Sequence, residues 1–442
     1  MKLGGTDSHK QISRCISVIS NLVKSPNQPE SRSVLASLSN QLKRLLLLAI
    51  AALAVVLFSG LFRAVGSEPD QPALQWTSVV MSPLTPHAEP VLGVDGKYHA
   101  VYELEVMNTS PVIATLKQIV VLDGRDQDRV LATYEGSGLL TRLRTLNNRQ
   151  ASTPAIELNE TRLVLLDVAF DSREAIPPRL LHRIALLGAA GPAQTVPSPL
   201  SYTAAPIALR PEVPVIGPPL AGKGWVAINS CCQPNVGHRS TALPINGRLY
   251  FAQRFAIDWM QLDDQGRVAH GDLAQIESYV GFGADVLAVA DGKVVDTLNT
   301  LPEQVPPNLP DPKAINLDNA LGNHVILDLG NSVFALYAHL QPQSITVKPG
   351  DRIRRGQVLG KLGNTGNTSA PHLHFHMMNG PTLGSDGLPY LIDRFDVVGQ
   401  IPLERAEAFY QFEGGWSNAL LPQSSPRRDQ FPLYMTIVDF PR

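Results

Sequence analysis

The sequence predicts a mainly β protein: an N-terminal transmembrane helix, then a β-sandwich-like domain, then a compact domain built as an antiparallel β-sheet or barrel. Composition, strand-like alternation and one long uncharged run predict it. The 442 residues include 36 prolines and 34 glycines, and proline at about 8% against a usual ~5% favours turns, linkers and strands over long helices. Apolar Tyr102, Leu104 and Val106 alternate with Glu103, Glu105 and Met107, the period of a strand with one buried face. Leu45–Phe62 runs for 18 residues without a charge. A chain of this length holds roughly two or three domains. A net charge of −2 and the lack of any basic stripe argue against nucleic acid as a partner. Three cysteines are too few for a disulfide framework.

Residues 1–44 are polar, with Lys2, Lys10, Arg14, Lys24, Arg32, Lys43 and Arg44 against Asp7 and Glu30. Residues 45–62 would span about 27 Å as a helix, enough for a bilayer core. The basic excess lies before this run, which places residues 1–44 in the cytoplasm and the rest outside it. The alternative is a cleaved signal peptide, for which Ala64-Val65-Gly66 offers small residues, but a 44-residue leader is long for that purpose. The expectation is a retained anchor or uncleaved signal, with the cytoplasmic membrane as a partner through one helix.

Residues 75–190 read as the sandwich, with further apolar runs at Ile119–Leu122 and Leu163–Val168 and a short helical element around Leu180–Leu187. Nothing there clusters ionisable groups for catalysis, so a spacer or docking role is expected. Eight prolines between 191 and 220 mark a semi-extended linker. Residues 221–400 form the compact domain, with hairpins expected at Val286–Asp296 around Asp291-Gly292 and at Val325–His339 around Gly330-Asn331. A Pro-rich insertion, Leu301–Pro312, separates the two. Val347–Asp351 and Arg355–Gly360 read as short strands with tight turns, and 401–442 as a tail packed on this domain.

The chemistry sits in Ser369–Met378, where His372, His374 and His376 occupy alternate positions. On a strand all three share one face, with Leu373, Phe375 and Met377 turned to a core. A lone histidine on a strand is ordinarily a satisfied surface or core residue; three in register present a row of imidazoles, as metal binding requires. Further donors are His238, Asp258 closing Phe255-Ala256-Ile257, and His339 ending Tyr337-Ala338-His339. Catalytic zinc takes three ligands from His, Asp or Glu and keeps one position open.

These segments resemble the LytM/lysostaphin-type zinc endopeptidases, which cut peptides in bacterial peptidoglycan. The resemblance covers residues 221–395 and rests on His238, Ala256-Ile257-Asp258, Val289-Ala290-Asp291-Gly292, Gly322-Asn323, Tyr337-Ala338-His339-Leu340, Gly356-Gln357-Val358-Leu359-Gly360 and Pro371-His372-Leu373-His374-Phe375. It implies Zn2+ held by His238, Asp258 and His374, and catalytic roles for His339 and His372. It also implies a substrate in peptidoglycan peptide stems or cross-bridges and a place in the bacterial cell envelope. Zinc would lower the pKa of water, and the two histidines would take up and donate protons.

This chain departs from the family pattern twice. His238 and Asp258 are 20 residues apart, much farther than is usual there, so Arg239–Arg254 must loop out and return; His270 is the fallback ligand. His376 stands where the family commonly has Glu or Gln, as an orienting partner for His372 or His374 or as a surface residue. The adjacent Cys231 and Cys232 form a bridge, two buried thiols or a thiolate near the metal, and a structural role is expected. Two rival functions remain. One is a wall-binding or amidase-activating relative without activity, though such proteins lack the ligands present here. The other is a biotinyl- or lipoyl-type carrier, suggested by Val347–Leu359, but its modifiable lysine is missing from the hairpin tip and the histidines would be unexplained.

Overall fold

The computed structural model describes residues 74–441. The polar segment 1–44 and the apolar run 45–62 lie outside the described residues. Among the described residues no helix is long and apolar enough to cross a membrane.

The first layers form two facing sheets. One has the order Val79–Pro83, Tyr98–Asn108, Thr161–Phe170, Leu143–Thr145, with Val91–Leu92 also on Tyr98–Asn108. The other has the order His87–Ala88, Ser198–Leu209, Arg179–Gly188, Ala114–Asp123, Asp126–Glu135, with Ala155–Ile156 on Ala114–Asp123. Tyr102, Leu104 and Val106 from the first sheet and Ile119, Val121, Ile184 and Ile207 from the second share one core. That burial is the main stabilising term of a sandwich.

The structure alters two readings in this region. Leu180–Leu187 is part of a strand, not a helical element: positions 180, 182, 184, 186 and 188 are buried in strict alternation. Strands bond to it on both sides, and that pairing overrides the weak helical spacing. Much of the Pro-rich stretch expected as a linker is likewise the strand Ser198–Leu209. Among the described strands it pairs, beyond Arg179–Gly188, only with the two-residue strand His87–Ala88, so for most of its length it is a sheet edge, where proline breaks no ladder.

The remaining chain builds an 11-stranded sheet. Its order is Arg352–Ile353, Gly292–Leu298, Asn323–Asp328, Phe334–Leu340, Leu373–Met378, Ile257–Gln261, Gly222–Ile228, Thr436–Phe440, Phe395–Gln400, Leu420–Arg427, with Gly387–Leu388 also on Leu373–Met378. The hairpin at Val325–His339 forms through Asn323–Asp328 and Phe334–Leu340. The hairpin expected around Asp291-Gly292 does not. Asp285–Leu287 pairs instead with Val358–Lys361 in a small separate sheet, while Gly292–Leu298 joins the large one. Residues 401–442 are more than a packed tail, since Thr436–Phe440 lies between Gly222–Ile228 and Phe395–Gln400.

Sandwich and large sheet share apolar packing: Val91 and Val101 join Trp225, Trp259, Tyr337 and Phe375 in one buried cluster. Residues 75–441 belong to one compact unit.

Candidate metal centre

Three neighbouring strands converge on the site. Asp258 lies opposite His374 across one strand pair, and Ala338 lies opposite His374 across the next. Strand alternation does the rest. Ile257, Trp259, Leu373, Phe375 and Tyr337 turn into the shared core, and Asp258, His374 and His376 turn to the other face. His339 follows Ala338 with a φ of 62°, a backbone conformation that non-glycine residues adopt only where the surroundings enforce it. Those surroundings are close: the His339 N–H donates to Leu321 O, and Nδ1 donates to Thr365 O at 2.7 Å. Gly322, at φ 63°, passes so near Thr365 that a Cβ there would lie 2.1 Å from its carbonyl oxygen.

His238 reaches the same place by the expected excursion. After the strand Gly222–Ile228, the chain loops through His238, makes the small hairpin Leu243–Ile245/Arg248–Tyr250, and returns to Asp258. His238 Nε2 ends 3.2 Å from Asp258 Oδ2, and His374 Nδ1 lies 2.8 Å from Asp258 Oδ1. The ligating atoms of His238, Asp258 and His374 all fall within 4.8 Å of one another. His372 Nε2 is 3.3 Å from Asp258 Oδ1, with its Nδ1 on Ala370 O at 2.8 Å. His339 and His372 rings stand 4.8 Å apart. His376 Nδ1 sits 2.8 Å from His374 Nε2 and is wholly buried, so it is not a surface residue. His270 stays out of the group; it is half exposed and paired with Asp263 at 3.1 Å.

The site is nearly closed. The side chains of His238 and His372 are 11% and 12% exposed against 3% for His374, so access is from the side of the first two. Burial pushes the Asp258 carboxyl up, but His238 and His372 outweigh it and hold that group well below the usual carboxylate range. Burial, then the neighbouring His372 and His374, push His339 well below the ordinary imidazole value. Burial also opposes protonation of His372, yet the Asp258 carboxylate raises it overall.

Two imidazole nitrogens and one carboxylate are the donor set that zinc takes in open sites, and tetrahedral ligands at ~2.0–2.1 Å from the ion lie roughly 3.3 Å apart. His238 Nε2 and His374 Nδ1 lie 3.2 and 2.8 Å from the two oxygens of Asp258, close enough for one ion to be shared by the three side chains. His376 occupies Nε2 of His374 and leaves Nδ1 facing Asp258, the way a partner on the far nitrogen fixes a metal-ligating tautomer.

The profile described as Peptidase family M23 matches residues 276–384. The chain carries a peptidase M23 domain. The matched stretch contains His339, His372 and His374, and leaves His238 and Asp258 just upstream. The chain is similar to the peptidoglycan DD-endopeptidase ShyA of Vibrio cholerae, at 42% identity over 57 residues, 13% of each chain. It is also similar to the glycyl-glycine endopeptidase ALE-1 of Staphylococcus capitis, at 30% identity over 120 residues, 26% of this chain and 28% of that one. The chain thus matches about an eighth to a quarter of the length of these curated relatives. Among solved structures, a zinc-containing peptidase from Vibrio cholerae aligns with 68% of this chain and 85% of its own, at 15% identity and a TM-score of 0.23, a superposition too loose to bear on the site.

One residue in contact with the site, Asn229, carried no signal in sequence. Asn229 donates to Asp258 Oδ2 at 2.8 Å and accepts from the Tyr410 hydroxyl at 2.9 Å, which ties the C-terminal region to the carboxylate. Cys231 and Cys232 are bonded to each other within the shared core. Cys232 lies beside His99 and Asp167 rather than the M23 histidines, and both His99 ring nitrogens already pair with Asp95 and Asp167.

Proposed function

We propose that this protein is a membrane-anchored zinc metalloendopeptidase that hydrolyses peptide bonds of bacterial peptidoglycan, in stems or cross-bridges, with its catalytic domain outside the cytoplasm. The observation that carries the reading is the convergence of His238, Asp258 and His374 beside His339 and His372, at the face of the site with access to solvent. The peptidoglycan endopeptidase activity named for the similar Vibrio cholerae protein supports the substrate class, and the endopeptidase activity named for the Staphylococcus capitis protein supports the reaction type. The uncharged run 45–62 behind a basic segment supports the anchor.

His238, Asp258 and His374 would hold the ion. A bound zinc would act as a Lewis acid on the scissile carbonyl and lower the pKa of the attacking water. His339 and His372 lie outside that ligand set and move the protons: one accepts from the water, and the other donates an N–H to the developing oxyanion or the leaving amine. His376 and Asn229 keep His374 and Asp258 in orientation.

The test is digestion of purified sacculi by the full-length chain in detergent, with products identified by mass spectrometry. New peptide termini, absent with the His339→Ala chain, are expected. A zinc-loaded chain that releases no fragments from sacculi of several cross-link types would overturn the reading.

A further inference from the structure

We infer that Glu103, on a sandwich strand, is a positioning residue for the metal ligands of the M23 site, acting through Arg239 and Arg254. The inference rests on the reading of His238 and Asp258 as ligands.

Glu103 lies in Tyr98–Asn108 between Tyr102 and Leu104, which turn into the sandwich core, so its own side chain leaves that core on the opposite face. It is fully buried all the same, because two guanidinium groups of the following domain close over it. Arg254 donates through Nε to Oε1 at 2.9 Å and through Nη2 to Oε2 at 2.6 Å. Arg239 donates through Nη1 to Oε1, and through Nη2 to Tyr102 O at 2.9 Å and Leu166 O at 3.2 Å. Arg254 also reaches Gly387 O at 3.1 Å, on the strand beside Leu373–Met378.

The positions of the two arginines make this more than a domain contact. Arg239 directly follows His238, and Arg254 precedes Asp258 by four residues. One carboxylate therefore pins both ends of the excursion that separates the two ligands. His238 has few other restraints: Nδ1 lies 3.3 Å from Ala256 O, and its ring meets His374 edge-on at 4.7 Å. A functional group must be held within about 0.5 Å of its working position, and a loop of this length supplies no such precision itself.

Stability alone is a poor account of the cluster. Buried ion pairs give back in attraction roughly what they cost in desolvation, and apolar side chains of similar volume would hold the loop at least as well. What a forked guanidinium on a carboxylate adds is direction. The sandwich, on this view, is the strut against which the first ligand histidine is set.

The experiment measures zinc affinity of the full-length chain by competition with a chromophoric chelator, together with the visible spectrum of the cobalt-substituted protein. Glu103→Gln is expected to weaken zinc binding about 10–100-fold, the usual effect of removing a group that orients a ligand, and to change the cobalt spectrum while circular dichroism remains native. Arg239→Gln, which keeps the Glu103–Arg254 pair, gives the same readout where Glu103→Gln does not fold, and Glu103→Asp should recover part of the affinity. A folded variant with parental affinity and an unchanged cobalt spectrum overturns the inference and leaves a purely structural contact. A parental chain that binds no zinc, or a His238→Ala chain that binds it undiminished, overturns the ligand reading itself.

Discussion

Asp258 and His374 face each other across two hydrogen-bonded strands, with the imidazole Nδ1 2.8 Å from the carboxylate Oδ1. The other oxygen, Oδ2, meets His238 Nε2 at 3.2 Å and Asn229 Nδ2 at 2.8 Å. One carboxylate is shared by three histidines, since His372 Nε2 also lies 3.3 Å from Oδ1, and an amide, and both its oxygens are buried. Such a group is costly to leave without positive charge. Either protonated histidines or a cation must balance it, and a divalent ion among the same atoms does so with all three donors in use.

The first expectation is one tightly bound zinc per chain. Asp258→Ala and His374→Ala should each abolish stoichiometric binding, because an open catalytic site has three protein ligands and loses its hold with two. Metal analysis after dialysis against buffer reads the outcome directly. Full occupancy in either variant would mean that the ligand set is wrong.

His339 and His372 should affect rate without affecting metal. Replacing either by Ala should leave zinc bound and reduce turnover about 10²–10⁴-fold, the usual worth of a positioned acid–base group. His238→Ala should lose both metal and activity, despite its 20-residue separation from Asp258. If His339→Ala loses zinc while His238→Ala keeps it, His339 is the ligand and the roles exchange.

What the sequence disclosed about this site came from local pattern. The alternation of His372, His374 and His376 with apolar residues follows from the strand period, and the turn Gly330-Asn331 specified its own hairpin. What it hid depends on pairing at long range. Asp291-Gly292 has good turn chemistry, but Asp285–Leu287 finds its partner at Val358–Lys361. Glu103 reads as a solvent-facing position until Arg239 and Arg254 arrive from far along the chain. Asn229 is one polar residue among many after a strand, and its partners Asp258 and Tyr410 are equally remote.

Topology is tested by fusion. Alkaline phosphatase joined after residue 70 should be active, and a reporter that works only in the cytoplasm should be silent at the same point, because the basic residues precede the apolar run. The reverse pattern would put the peptidase domain inside the cell and remove its access to the wall.

The last prediction concerns acid stability and lies in the sandwich, away from the metal centre. His182 is fully buried, with Nδ1 donating to Ala205 O at 2.6 Å and Nε2 accepting from the Tyr102 hydroxyl at 2.7 Å. Both ring nitrogens are committed in the neutral form, and burial pushes the folded-state pKa down to about 4. In the unfolded chain it returns to about 6.5. Between those values the unfolded state binds a proton that the folded state refuses, so the contribution is full above about pH 6.5 and is lost progressively as pH falls toward 4. A difference of about 2.5 units corresponds to about 3 kcal/mol. Urea unfolding of the metal-free chain at pH 7 and pH 4 should therefore show a loss about 3 kcal/mol smaller in His182→Gln than in the parent. Comparing the two chains cancels the contribution of the carboxylates and of the M23 histidines. Equal losses in both would mean that His182 is protonated in the folded sandwich and that the Tyr102 hydroxyl has turned to another partner.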